Sequence, residues 1–205
     1  FETTGHCDQE HARAFEKDTV VRIYSMTKPI TTVAAMVLYE EGRFQLDDPV
    51  HKYIPGFKEV KVWAGEGGIN NVVPCESPML VRHVMSHTSG LTYGFMNANP
   101  VDAAYRENEM SKYEELGEWV LSLTEIPLIS QPGSQWNYSV STDVLGRLVE
   151  VWSGQTLERF FAERLFAPLQ MTDTGFHVKQ ENHDRFSALY EPLVGPAMGM
   201  IGGPD

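Results

Sequence analysis

Positive charge is scarce in this 205-residue chain. Sixteen Lys and Arg stand against 28 Asp and Glu, a formal net charge of −12. Phosphate backbones are held by basic surfaces, so nucleic acid is not expected as a partner. An anionic membrane surface is disfavoured by the same sign argument. Long hydrophobic runs are missing too: none approaches the roughly 18 apolar residues that span a bilayer. The first ten residues, FETTGHCDQE, are polar and acidic, unlike a secretion signal. They also lack an initiating methionine, so the compartment is not legible at this end. Cysteine is nearly absent. Cys7 and Cys75, alone in a chain this long, read as free thiols, because a disulfide-stapled fold carries more.

Two catalytic signatures are also lacking. His83 and His87 are four apart, as in H-E-x-x-H, but Val84 stands where the glutamate base belongs. No serine has glycines at both −2 and +2, which excludes the G-x-S-x-G elbow. What is present is a core: 42% of the residues are hydrophobic, enough to fill one. The length suits one domain or a little more.

Hydrophobic spacing divides the chain. Residues 1–24 hold short β-like pieces such as Thr19–Ser25. From Lys28 to Glu41 the spacing predicts a helix whose apolar stripe is Ile30, Val33, Ala34, Val37 and Leu38. Gly42 is its stop. Pro29, with no N–H to give, must lie in the first turn, which sets the start near Ser25. Phe44–Phe57 reads as loop and short turns. Residues 62–78, rich in Gly and Asn, read as an exposed excursion with weak β character. Further helices are expected over Met79–His87, Ser111–Leu123, Ser139–Trp152 and Thr156–Phe166, with 94–110 irregular or weakly helical. The tail 192–205 is rich in Gly and Pro. The region 28–166 is therefore helix-dominated.

The stretch Tyr24-Ser25-Met26-Thr27-Lys28-Pro29 carries the first chemical signal. Serine is a favoured helix cap, so Ser25 can be an N-cap. It can also be a nucleophile. Lys28 lies one turn away on the same helix face. A lysine held against a hydroxyl in a dry site gives up its proton more easily, or stabilises a neighbouring base. The second signal is Tyr138, just before the helix that carries Val144, Leu145, Leu148 and Val149. Alone it reads as a half-buried aromatic. Beside a lysine, a phenol can shuttle a proton from nucleophile to leaving group.

Three separated stretches, in order, resemble one family. SMTKPITTVAAMVLYEEGRFQLDDPV (25–50) looks like an S-x-x-K box with its helix and Leu-Asp-Asp-Pro-Val segment. VRHVMSHTSGLTYG (81–94) resembles an H-x-x-x-H-T-S-G-L turn. QPGSQWNYSVSTDVLG, from Gln131, resembles a P-G-x-x-x-x-Y-S box. Together they resemble the class C β-lactamase-like, or penicillin-binding-protein-like, serine hydrolases, and within them the family VIII carboxylesterases and related acyltransferases. The resemblance implies an α+β fold, a helical domain on an antiparallel sheet. It implies Ser25 as nucleophile, Lys28 as its partner and Tyr138 as phenolic acid/base. Ser139 and Val140 follow as substrate-binding candidates. The expected function is hydrolysis of a small-molecule carboxylic ester through an acyl-serine. β-Lactamase, D-amino-acid peptidase, acyltransferase and non-catalytic roles are the alternatives. No metal or organic cofactor is implied.

Two departures stand out. Val140 occupies a position where β-lactamases usually carry asparagine, so lactam hydrolysis is not expected. The family's third box, a K-T-G-like or H-x-G-like strand, is absent from residues 1–205. The chain is accordingly expected to be one domain, 1–205, of a longer protein extending beyond both ends.

Overall fold

The computed structural model describes residues 2–190. Two small hairpins flank a helical body. β1 (His6–Asp8) pairs antiparallel with β2 (Arg13–Ala14), and β3 (Lys61–Trp63) pairs antiparallel with β4 (Val72–Pro74). The helices are α1 (Thr27–Glu40), α2 (Val81–Met85), α3 (Pro100–Glu107), α4 (Leu116–Ser122), α5 (Ser141–Ser153) and α6 (Leu157–Phe161). α6 runs on through a π turn, Ala162–Phe166.

α5 is the hub, packing on α1, α2, α4 and α6. Val144, Leu145, Leu148 and Val149 are buried on it, as their spacing requires. They meet Ala34, Ala35 and Leu38 of α1, Val81 and Val84 of α2, and Trp119 and Val120 of α4 in one core cluster. Trp152, at the end of α5, stacks on Phe44 with ring centres 3.8 Å apart. This packing brings the N-termini of α1 and α5 together and fixes the site.

α1 ends as the glycine signal predicts. Gly42 has φ +73°, its N–H bonds to Tyr39 O, and the Arg43 N–H reaches back to Leu38 O, the Schellman pattern. Its buried face, however, is rotated from the expected stripe. Val33 is 52% exposed and Val37 only half-buried, while Thr31 and Ala35 face inward. Thr31 can be buried because its hydroxyl bonds to Thr27 O at 3.2 Å.

Other expectations shift for local reasons. Thr19–Ser25 is not a strand: only Val20 forms a bridge, parallel to Phe186, and Tyr24–Met26 is a 3₁₀ turn. The segment expected to be irregular holds α3. Asn99 caps it by accepting from Val101 N and Asp102 N, Pro100 opens it, and Asp102 reaches back to Ala98 N at 2.8 Å. α4 starts at Leu116 rather than Ser111, because Tyr113 is extended and sends its hydroxyl to Asn108 Oδ1 at 2.6 Å. Cys7 and Cys75 are free thiols. The glycine-rich tail 192–205 lies outside the described residues.

Candidate active site

Ser25 sits at the crest of the tight turn before α1, where Met26 N bonds to Ile23 O at 2.9 Å. The residue before it, Tyr24, has φ +42°, uncommon for a non-glycine residue. Ser25 does not cap the helix: Met26 occupies that position, without any side-chain cap bond. The serine hydroxyl instead meets the Tyr138 hydroxyl at 2.8 Å, and Lys28 Nζ donates to it at 3.2 Å. Sequence expectation and geometry therefore agree that Ser25, Lys28 and Tyr138 meet.

Tyr138 is held from several sides. The residue before it, Asn137, gives its N–H to His87 O and its side-chain amide to Leu91 O. The loop 87–91 that receives these bonds needs Gly90, with φ +86°; a Cβ there would stand 2.3 Å from Ser130 O. The Tyr138 ring lies between His87 (5.0 Å), Tyr93 (5.4 Å) and Trp136 (6.4 Å). Lys28 Nζ lies 4.9 Å from the Tyr138 ring centre and 5.7 Å from that of Tyr93.

The charges are tuned by this crowding. Burial works against the Lys28 ammonium, but the Tyr138 and Tyr93 phenols outweigh it and hold its pKa above the ordinary lysine value. Burial would raise the Tyr138 phenol, but hydrogen bonds with Lys28 and Ser25 and the Lys28 charge bring it below the ordinary tyrosine value. Tyr93 is pushed up to about 12, by burial first and then by the nearby Asp143 charge. Burial also pushes Asp143 up to about 6, with Lys28 opposing. The arrangement favours a charged lysine beside a phenol that ionises more readily than usual.

Ser139 and Val140 are placed otherwise than expected. Ser139 is 0% exposed and turns to His87 Nδ1 (3.2 Å) and Ser141 Oγ (2.7 Å). Val140 is 4% exposed and lies in the core under the start of α5, its N–H directed at Thr92 O. Neither side chain offers a surface to a substrate, so Val140 does not act by lining the site. Sequence reasoning missed Tyr93 and Asp143, which bracket Lys28. Neither carries a periodic signal, since Tyr93 sits in a loop and Asp143 on the polar side of α5.

A cavity of about 1000 Å³ opens beside Lys28 and runs along α5 past Asp143 and Arg147 to Leu157 and Phe176. Among the described residues no three His, Cys, Asp or Glu side chains gather as metal ligands. His83 Nδ1 is occupied by the Leu80 N–H at 3.2 Å. No described helix is long and apolar enough to cross a membrane.

A family model described as beta-lactamase matches residues 1–203. The chain belongs to the β-lactamase family. Its relatives there include Esterase EstB of Burkholderia gladioli, 32% identical over 192 residues, which are 91% of this chain and 45% of EstB. The ML-236A carboxylate methylbutanoyltransferase of Penicillium citrinum is 32% identical over 168 residues, 80% of this chain and 39% of that protein. Among solved structures, EstCE1, described as a hydrolase with promiscuous acyltransferase activity, superposes with a TM-score of 0.74 at 29% identity. That match covers 90% of this chain and 46% of EstCE1. The chain thus spans about half the length, or less, of these β-lactamase-family relatives. Among the described residues the fold is helix-rich α+β with small antiparallel sheets, and it superposes on the β-lactamase-like fold of these neighbours.

Proposed function

We propose that the protein bearing this chain is a serine hydrolase that opens carboxylic esters through an acyl-Ser25 intermediate. The observation that carries the reading is the Ser25 hydroxyl held between the Tyr138 phenol, at 2.8 Å, and the Lys28 ammonium, at 3.2 Å. Tyr138, ionised beside the Lys28 ammonium, accepts the Ser25 proton as Oγ bonds to the ester carbonyl carbon and becomes a neutral phenol. The C–O bond to the alkoxy group then breaks, and Tyr138 returns the proton to the departing alcohol. Lys28 stays charged and stabilises the phenolate while it lasts. The same groups, run in reverse, activate the acceptor that releases the acyl group.

Water as acceptor makes the protein an esterase; an alcohol makes it an acyltransferase. The family includes both an esterase and a methylbutanoyltransferase among this chain's relatives, so transfer is the second reading. Both predict that a fluorophosphonate probe adds once to the full-length protein, on Ser25. Turnover of p-nitrophenyl butyrate with and without added alcohol then separates them. Free butyrate as the dominant product supports the esterase; a butyrate ester of the added alcohol supports transfer. A protein without adduct or turnover overturns both.

A further inference from the structure

Beneath Tyr138 runs a buried file of hydroxyls that the proposed chemistry does not use. Ser89 Oγ meets Ser141 Oγ at 2.7 Å, Ser141 Oγ meets Ser139 Oγ at 2.7 Å, and Ser139 Oγ meets His87 Nδ1 at 3.2 Å. All three serines are 0% exposed. Each hydroxyl has one hydrogen to place. Backbone donors take acceptor capacity at two of them: Leu91 N–H gives to Ser89 Oγ and Ser141 N–H gives to Ser139 Oγ.

Only one direction places every hydrogen. Ser89 donates to Ser141, Ser141 to Ser139, and Ser139 to His87 Nδ1. In the opposite direction His87 donates to Ser139, Ser139 to Ser141 and Ser141 to Ser89. The Ser89 hydrogen is then left, among the described residues, without an acceptor at a fully buried position. Buried donors left unpaired are strongly disfavoured. The forward direction requires Nδ1 to be an acceptor, which puts the imidazole hydrogen on Nε2.

The ring so fixed lies against the reaction. His87 has φ +56°, and its carbonyl receives the Asn137 N–H, so the loop aims its side chain at Tyr138, 5.0 Å away between ring centres. We infer that His87 is a positioning residue, held as the neutral Nε2–H tautomer by the Ser89–Ser141–Ser139 file, and that it braces the Tyr138 phenol against Ser25. The inference rests on the reading of Tyr138 as the proton-transferring group. Adding a proton to His87 makes Nδ1 a donor, breaks or reverses the file, and loosens the brace. Among the described residues, the charged or titratable groups facing His87 are Lys28 of α1 and Tyr138 before α5. Burial, followed by the Lys28 charge, keeps the imidazole below its ordinary value, in keeping with a neutral ring.

The test uses the full-length protein labelled with ¹⁵N-histidine, with His87 assigned by its loss in His87→Gln. The expected wild-type spectrum shows a protonated Nε2 and a pyridine-like Nδ1. Ser89→Cys supplies a terminal group whose own hydrogen is a weak donor, so reversal becomes easier. It should raise the His87 pKa by roughly one pH unit. Ser89→Ala leaves the Ser141 hydrogen stranded on reversal and should not raise it. Ester kcat/KM should fall with an extra step at low pH, and that step should move up with His87 in Ser89→Cys alone. A protonated Nδ1 in the wild type overturns the tautomer assignment, as do equal shifts in the two Ser89 variants. An acid step that stays put while His87 moves overturns the positioning role. Failure of the Tyr138 reading shows separately, as full turnover in Tyr138→Phe, and leaves the tautomer result intact.

Discussion

At the residue scale, the proposed mechanism passes one proton between Ser25 and Tyr138 while Lys28 stabilises the phenolate, so the losses of the three cannot add. Ser25→Ala, Lys28→Ala and Tyr138→Phe are each expected to remove most ester turnover, with double variants little worse than singles. Near-native kcat in Lys28→Ala would remove the lysine from the mechanism. The pH dependence follows from the two opposed shifts. In the proposed mechanism Tyr138 must be deprotonated to accept the proton, and its pKa lies below the ordinary 10.0. Lys28 must stay charged, and its pKa lies above the ordinary 10.5. Activity therefore rises as pH climbs to the lowered phenol value and falls only above the raised ammonium value. Lys28→Met withdraws the charge that favours the phenolate, so the rising limb should move to higher pH. A limb that stays in place, measured as kcat/KM against pH, would show that Lys28 does not tune Tyr138.

At the element scale, stability divides between packing and caps. Leu148 is fully buried on α5, where four helices converge. Leu148→Ala should cost about 2–5 kcal/mol, lost transfer energy plus a cavity that rigid neighbours cannot close. Asn99→Ala removes two backbone partners at the start of the short α3 and should cost about 1 kcal/mol. Denaturant titration checks the order, and a cap variant as damaging as the core variant would reverse it. The same contrast explains what the sequence disclosed. α1 and α5 were legible because each has enough turns for a periodic stripe. α3 was not, because its signal is the Asn99-Pro100 cap rather than a stripe. The phase of α1 also escaped: periodicity locates a stripe but does not say that Thr31 would satisfy its hydroxyl inside the helix and take a buried place that Val33 then leaves. The site was legible at Ser25, Lys28 and Tyr138 because S-x-x-K spacing and a tyrosine box are local. Val140 was misplaced because a one-residue register within a box does not tell which side chain turns inward.

At the scale of the molecule, charge acts on what reaches Ser25. The cavity beside Lys28 has carboxylates at Glu114, Glu115, Glu150 and Glu158 along its walls, and its Arg147 is already paired to Glu150 at 2.9 Å. Burial pushes the Asp143 carboxyl up to about 6, against the opposing Lys28 charge. The chain as a whole carries a formal charge of −12. A negative cleft concentrates cations and repels anions, and salt screens both effects over about 10 Å at 0.1 M. An alcohol acceptor bearing a quaternary ammonium should therefore compete with water for the acyl group better than a carboxylate-bearing alcohol of the same size. The gap should narrow as ionic strength rises, because the groups are near the surface and open to counter-ions. The measurement is the ratio of transferred to hydrolysed butyryl group on the full-length protein, taken for both alcohols at low salt and near 1 M. Glu114→Gln and Glu115→Gln together should shrink the low-salt gap without touching the Ser25 adduct. Equal ratios for the two alcohols at low salt would show that acceptors do not approach through this cavity, and a salt-independent difference would assign the preference to contact rather than to the field.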